Sequence, residues 1–352
     1  MGPYRVVQWA TGALGRSAIR AVLERPDMQL VGARVYDPAK AGVDVAELAG
    51  RPPIGVPATA DPEQILALDA DCVIFAPSGG VLTRRRSGGL NIVCELLASG
   101  KNVICLSGLV YPQAHGPELV DELERACRAG NSSVHGTGVN PGFMADLMPL
   151  ALSRLSRQIS HVYARECSDF SGHPSWRLVH DMVGFGKTEE EYVADLRKAR
   201  AYMRSVFTES MYLVAAALGV ALDEVDCDVA YRLASEDFDV SAGHIAKGTV
   251  AAARWTLNGL VKGNPFIMAE AIYKADASRV FDWGDPGYAV RVHGRPSITL
   301  TTGEDWVSNG IAAAAAHAVN AVPAVCEAEP GIRTLLDLPL ITGRAAAPYR
   351  ST

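Results

Sequence analysis

Tyr4-Arg5-Val6-Val7-Gln8-Trp9-Ala10-Thr11-Gly12-Ala13-Leu14-Gly15-Arg16-Ser17-Ala18 begins as an extended, β-branched run, breaks at a glycine-bearing turn and continues as a helix. That order matters chemically. The first N–H groups of a helix have no partner within it, and together with the helix dipole they face an anion. Gly12 lets backbone come close to a pyrophosphate, and Gly15 allows tight contact between helix and strand. Thr11, Gly12, Ala13, Leu14, Gly15 and Arg16 are therefore the expected phosphate-contacting residues. The next strand-like run ends Val35-Tyr36-Asp37, an acid 22 residues after Gly15, where a carboxylate accepts the adenosine ribose hydroxyls. Asp37 favours NAD(H), because its charge repels the additional phosphate of NADP(H). Arg16 and Lys40 can offset that charge and leave NADP(H) open.

Outward from this turn, β-branched runs alternate with helical spacing. Arg5 to Trp9, Leu30 to Tyr36, Cys72 to Phe75, Val103 to Leu106 and Ser133 to His135 read as strands. Leu14 to Glu24, Leu90 to Ser99 and Pro117 to Arg128 read as helices, with Gly100 and Gly130 as C-caps. Such alternation builds an α/β fold, a Rossmann-type doubly wound parallel sheet. Ligands in such sheets lie at the carboxyl ends of the strands, which adds Ala76-Pro77-Ser78, after the third strand, and Ser107, after the fourth. The run Arg84-Arg85-Arg86 is either a solvated loop face or a reach toward adenine.

Composition shifts after Gly142. A linking helix, Met144 to Leu155, precedes a strand, Ile159 to Glu166, and two helices, Glu189 to Arg204 and Glu209 to Leu218. The β-rich runs Asp226 to Leu233, Lys247 to Leu257, Phe266 to Tyr273 and Tyr288 to Thr301 have no helices between them, which predicts a second α+β domain of mixed or antiparallel sheet. The expected organisation is residues 1–142 as the dinucleotide-binding domain, 143–305 as the substrate and dimerisation domain, and 306–352 as a helical segment packing back on the first.

The 352-residue chain is 49% apolar and 20% charged with net charge −6, the wrong sign for a phosphate-backbone binder, so nucleic acid is excluded as a partner. Seven scattered cysteines without a C-x-x-C pair suggest neither a disulfide framework nor a zinc site, and fit a reducing cytoplasm. The apolar stretch Ile311 to Val325 is broken by Pro323 and falls short of the roughly 20 residues a span requires, so no membrane role is expected.

Val6-Val7-Gln8-Trp9-Ala10-Thr11-Gly12, Gly42-x-Asp44 with Glu47-Leu48, Gly100-Lys101-Asn102-Val103, Gly136-Thr137-Gly138-Val139-Asn140-Pro141-Gly142-Phe143 and Val319-Asn320-Ala321-Val322-Pro323 together resemble the dihydrodipicolinate-reductase-like amine dehydrogenases. That group includes 2,4-diaminopentanoate dehydrogenase and the native amine dehydrogenases. The resemblance runs over nearly the whole chain. It implies a two-domain homodimer with the nicotinamide near Asn140. The local residues suit that role, with Asn140 as N-cap of a helix, Pro141 in its first turn, and Gly138 and Gly142 allowing close backbone approach. The resemblance also implies a carboxylate after the fourth strand to activate water or ammonia. Here the stretch reads Cys105-Leu106-Ser107-Gly108-Leu109-Val110-Tyr111-Pro112, with no Asp or Glu.

Hydride transfer needs alignment, charge stabilisation and at most one proton. The candidate donors cluster in Glu166-Cys167-Ser168-Asp169-Phe170-Ser171-Gly172-His173, where His173, Asp169 and Glu166 carry the chemistry. His180, Tyr111 and Tyr163 carry less weight, and no histidine forms a zinc set with the cysteines, so no metal is expected. The expected activity is hydride transfer between NAD(P) and a small carbonyl, imine or amine. Two alternatives stay open: reduction of C=O or C=C bonds on a larger hydrophobic substrate, and dinucleotide sensing without catalysis.

Overall fold

The structure, a computed structural model, describes residues 2–78, 81–82 and 89–345, so the Arg84 to Arg86 run lies outside the described residues. The chain forms two compact units, Met1–Gly142 with Ile311–Thr352, and Phe143–Gly310.

In the first unit, strands β1 (Tyr4–Trp9), β2 (Met28–Arg34), β3 (Cys72–Phe75), β4 (Asn102–Cys105) and β5 (Ser133–Gly136) alternate with helices α1 (Ala13–Leu23), α2 (Pro62–Ala67), α3 (Gly89–Ala98) and α4 (Pro117–Gly130). The strands are parallel in the order β5-β4-β3-β1-β2. From β1 the sheet grows first to β2 and then, on the other side, to β3, so a crevice opens between the carboxyl ends of β1 and β3. Alternation along the strands feeds two cores. Val6, Ile74 and Ile104 pack with Ala18, Ile19 and Val22 of α1, and Val7, Trp9, Val73, Phe75 and Val103 pack with Leu96 of α3 and Leu123 of α4. Gly100 takes the left-handed conformation after α3, at φ +88°. Gly130 does not cap α4. Asn131 does, and Gly130 is needed instead because a Cβ there would lie 1.9 Å from the Leu97 carbonyl oxygen.

The second unit begins with α5 (Leu147–Ser153) and β6 (Arg157–Asp169), followed by a π-helical segment Arg177–Val183 and the long helix α6 (Glu189–Ala217). The two helices expected here are one, because residues 189–217 contain no Gly or Pro and the buried Met203 and Phe207 carry the apolar stripe across the supposed gap. Thr188 and Glu191 close a capping box at its start. Then come β7 (Glu224–Leu233), β8 (Phe238–Val240), β9 (Gly243–Ile245), β10 (Val250–Val261), β11 (Asn264–Lys274), β12 (Gly287–Arg295), β13 (Ile298–Thr301) and the short α7 (Glu304–Ser308). Six strands form a mixed sheet, β13-β12-β6-β11-β10-β7, in which only the β6–β11 pair is parallel. Helix α8 (Gly310–Cys326) buries Ala315, Ala318 and Val322 in the first unit's core, and β14 (Gly331–Ile332) pairs with β5.

Candidate functional site

Ala10 leaves β1 with φ +73°, which turns the chain sharply into Thr11 and Gly12. The turn is held from beneath by Gln8, a buried side chain whose Nε2 donates to the carbonyls of Trp9, Ala10 and Ile74 at 3.0–3.2 Å. A Cβ at Gly15 would lie 2.0 Å from the Ala10 carbonyl oxygen, so α1 approaches the turn only because residue 15 has no side chain. Gly12 is the opposite case, with nothing within 4 Å of a Cβ built there. It is the N-cap of α1 without any side-chain cap, so the first N–H groups, those of Ala13, Leu14 and Gly15, are not closed off by the turn itself. Open space before uncapped donors fits a dinucleotide pyrophosphate. Arg16 stands exposed on the first turn of α1.

The loops after β3 and β4 are tied together. Ser107 Oγ donates to the Pro77 carbonyl at 2.9 Å, and the Val81 N–H donates to the Ser107 carbonyl at 2.8 Å. Ala76 is buried and Ser78 exposed. The segment that lacks a carboxylate then lies directly on β5, since a Cβ at Gly136 would meet the Leu109 carbonyl carbon at 2.1 Å. Burial, with the charge of Asp337, raises the Tyr111 phenol above its ordinary pKa.

After β5, residues 137–142 fold back on themselves. A Cβ at Gly142, which has φ +115°, would lie 2.2 Å from the Gly138 nitrogen. His317 of α8 pins this loop, with Nδ1 3.0 Å from the Gly138 carbonyl and 2.9 Å from Thr137 Oγ1. The carbonyl fixes the ring proton on Nδ1, and burial lowers the pKa of His317. Asn140 is not a helix N-cap. The segment after it is made of turns, and α5 starts at Leu147 behind Asp146, because the close packing of Gly138 on Gly142 occupies the chain where a first helical turn would form.

At the end of β2, Asp37 is exposed and caps the 3-10 turn Pro38–Lys40, its Oδ1 accepting from the Ala39 N–H at 3.0 Å. Sequence reasoning missed Arg34, whose guanidinium carbon lies 5.0 Å from the Tyr36 ring centroid and 5.9 Å from that of Trp9. Trp9 Nε1 donates to the Tyr36 hydroxyl at 3.0 Å. The one mark of Arg34 in the sequence is a lone cation within the apolar run Leu30 to Val35, which by itself does not separate a stacked cation from an ordinary exception to alternation. Gln8, missed likewise, is a lone amide in such a run.

The expected cofactor residues thus follow β1, β2, β3, β4 and β5 at one edge of the first sheet, whereas the expected proton donors belong to the second unit. Glu166 accepts from Ser168 Oγ at 2.8 Å and sits in register beside Tyr288. Burial and then the Glu166 charge hold the Tyr273 and Tyr288 phenols far above their ordinary pKa. Alternation puts Asp169 on the other face of β6, where its two oxygens accept the Ser171 and Ala277 N–H groups at 2.7 and 3.1 Å. His173 accepts the Ser175 N–H at Nδ1, 3.2 Å away, which leaves the neutral ring's proton on Nε2. His180 stacks on Trp176, 4.8 Å between centroids, and the Tyr163 hydroxyl donates a hydrogen bond to Glu270 Oε2 at 2.6 Å. Among the described residues no group of three or more His, Cys, Asp or Glu could hold a metal ion.

Residues 6–78 match the family described as "Dihydrodipicolinate reductase, N-terminus", and residues 143–348 match "2,4-diaminopentanoate dehydrogenase C-terminal domain". The chain is 33% identical over 351 residues to an amine dehydrogenase of Streptomyces virginiae, covering 95% of this chain and 96% of that one. With the 2,4-diaminopentanoate dehydrogenase of Acetoanaerobium sticklandii it shares 27% identity over 66% of this chain and 64% of that one. An amine dehydrogenase structure from Mycobacterium smegmatis superposes with a TM-score of 0.79 at 21% identity, over 97% of each chain, and shows the same fold. The chain therefore belongs to the amine dehydrogenase and 2,4-diaminopentanoate dehydrogenase family of NAD(P)-dependent oxidoreductases.

Proposed function

We propose that the first unit holds a nicotinamide dinucleotide along the carboxyl edge of its sheet and that the chain exchanges hydride with a small amine, imine or carbonyl compound. The observation that carries this is the turn after β1, where Gly15 is required by contact with Ala10 while Gly12 faces open space before uncapped helix N–H groups. In this assignment Ala13, Leu14 and Gly15 N–H groups bind pyrophosphate, with Thr11 and Arg16 beside them. Ala76, Pro77, Ser78 and Ser107 line the middle of the cofactor's path, and Asn140 stands at its nicotinamide end. Asp37, with Oδ1 engaged by its own turn, presents Oδ2 to the ribose hydroxyls, which supports NAD(H) as a cofactor. When bound, the reduced cofactor supplies the hydride. The protein's own task is to orient the accepting carbon and to deliver a proton, and His173 is the first candidate: its neutral Nε2–H can hold the accepting heteroatom by a hydrogen bond, while delivery requires the imidazolium, which gives up the bond from Ser175. Glu166 and Asp169 are the other candidates, of which Asp169 has the weaker claim since both its oxygens already hold backbone N–H groups.

The decisive experiment follows reduced-nicotinamide absorbance with the purified chain and a panel of small aldehydes, ketones, amines and cyclic imines. Turnover with at least one class is expected. Tight dinucleotide binding without turnover on any would instead mark a sensor. All seven cysteines are free thiols and no helix among the described residues is long and apolar enough to cross a membrane, which supports a cytoplasmic setting. The resemblance to amine dehydrogenases supports a homodimer, to be checked by sedimentation at twice the 37.4 kDa chain mass.

A further inference from the structure

Resting on the assignment of the cofactor's nicotinamide end to the loop after β5, we propose that His317 of α8 is a positioning residue: by holding the Gly138 carbonyl it turns the Val139 N–H away from α8, and that N–H receives the carbonyl of the nicotinamide carboxamide. His317 follows five alanines on a helix whose Ala315, Ala318, Val319, Ala321 and Val322 are buried in the first unit's core. Those neighbours fix α8 against the sheet, so the ring enters at a set depth. Its Nδ1–H meets the Gly138 carbonyl at 3.0 Å and Thr137 Oγ1 at 2.9 Å.

A trans peptide is planar, with its C=O and N–H on opposite sides, and the Gly138–Val139 peptide is trans. A carbonyl held toward α8 therefore directs the Val139 N–H away from it. That N–H donates to no other described residue, although Val139 is partly buried, and such a donor calls for an acceptor from outside the chain. The loop carries the orientation onward because it is packed on itself. A Cβ at Gly138 would lie 2.6 Å from the Pro141 carbonyl oxygen, and one at Gly142 would lie 2.2 Å from the Gly138 nitrogen. Val139 and Asn140, between those contacts, follow the one peptide that His317 fixes. A neutral holder also suits the place. Burial lowers the pKa of His317, so near pH 7 the ring adds no positive charge beside a nicotinamide that is cationic when oxidised. A lysine or arginine could hold the same carbonyl but would bring that charge.

The test titrates oxidised NAD and ADP-ribose, which is NAD without the nicotinamide, calorimetrically into the full-length chain and its His317→Leu and His317→Asn variants. The Asn amide nitrogen stands where Nδ1 stood and keeps the donor. NAD affinity should fall about 3- to 10-fold in His317→Leu, the worth of one hydrogen bond between neutral groups, and return to within about twofold in His317→Asn, while ADP-ribose affinity stays within about twofold throughout. Pyridine adenine dinucleotide, which lacks the carboxamide, should bind the unmodified chain more weakly than NAD by the same factor and should lose nothing further in His317→Leu. Equal loss of NAD and ADP-ribose in a variant that melts as a folded protein would make His317 a staple of the fold alone. Unchanged NAD affinity in His317→Leu, or a pyridine analogue that binds as tightly as NAD, would take the Val139 N–H away from the carboxamide. Each of these overturns the proposal and leaves the dinucleotide assignment standing. If His317→Leu does not fold, the comparison of NAD with the pyridine analogue on the unmodified chain decides. Failure of the unmodified chain to bind both NAD and ADP-ribose would overturn the proposal and the assignment together.

Discussion

Gly12 and Gly15 lie three residues apart and answer to different physics. Gly15 belongs to the fold, since a Cβ there would penetrate the Ala10 carbonyl, and Gly15→Ala should destabilise the chain by about 1–3 kcal/mol, the usual cost of overpacking a site that must shift backbone. Gly12 has an ordinary φ of −68° and empty space before it, so Gly12→Val should leave the thermal unfolding midpoint within about 2 °C and abolish binding of both NADH and NADPH. Paired melting curves and cofactor titrations separate the two, and a Gly12→Val protein that still binds cofactor would remove the pyrophosphate from this turn. Both glycines were legible in sequence because spacing alone places them at a strand-to-helix turn. Gln8 and Arg34 were not, because nothing in a strand pattern tells a buried amide that holds three carbonyls, or a cation stacked on two rings, from an ordinary exception to alternation.

At the scale of elements, five of the first unit's strands and three of its helices could be read from periodicity to within two residues at either end, since a parallel sheet buried on both faces needs unbroken apolar runs. What failed was local closure. The chain after Asn140 turns where a helix was expected, because tertiary contact between Gly138 and Gly142 and the bond from His317 decide it, and these partners lie far apart in sequence. The same elements predict a pH response. His135 of β5 is fully buried, its Nδ1 2.7 Å from the Arg333 carbonyl and its Nε2 without a partner, and burial pulls its pKa down to about 4. An unfolded histidine takes up its proton near pH 6.5. Between those values the unfolded state binds more protons, so stability rises with pH there. The contribution is complete above about pH 6.5 and is lost as pH falls toward 4. Its size is about 3 kcal/mol, and His317 adds in the same direction. Urea unfolding at pH 7.5 and 4.5 should show a clear loss in the unmodified chain and a smaller one in His135→Leu. Equal pH dependence in the two would show that the burial of this ring is not what the acid limb reports.

For the whole molecule, family membership and chemistry at the reacting carbon are separate questions, since a shared fold and cofactor site do not fix the substrate. Making a new C–N bond from ammonia requires a base beside the cofactor, and a positioned base contributes about 10²- to 10⁴-fold. The stretch Cys105 to Pro112 offers no carboxylate, and its one hydroxyl before Tyr111, on Ser107, is already donated to Pro77. Leu109 and Val110 are buried in the same loop, so its side chains serve packing more than proton transfer. Reduction of a preformed C=N, C=O or C=C bond avoids the demand, because only one proton is then needed and His173, Asp169, a tyrosine or water can supply it. The unmodified chain should therefore oxidise NADH with cyclic imines or carbonyl compounds at a rate that added ammonia raises by less than about tenfold, an order below the least that a positioned base contributes. The measurement sets initial rates with small ketones and aldehydes, with and without ammonia, beside those with cyclic imines. Strong ammonia dependence would instead place a working base outside the 105–112 loop. Separate Ala substitutions at Glu166 and Asp169 would then identify it, with Glu166 expected to be the one that matters, since Asp169→Ala would also release the Ser171 and Ala277 N–H groups and lower stability as well as rate.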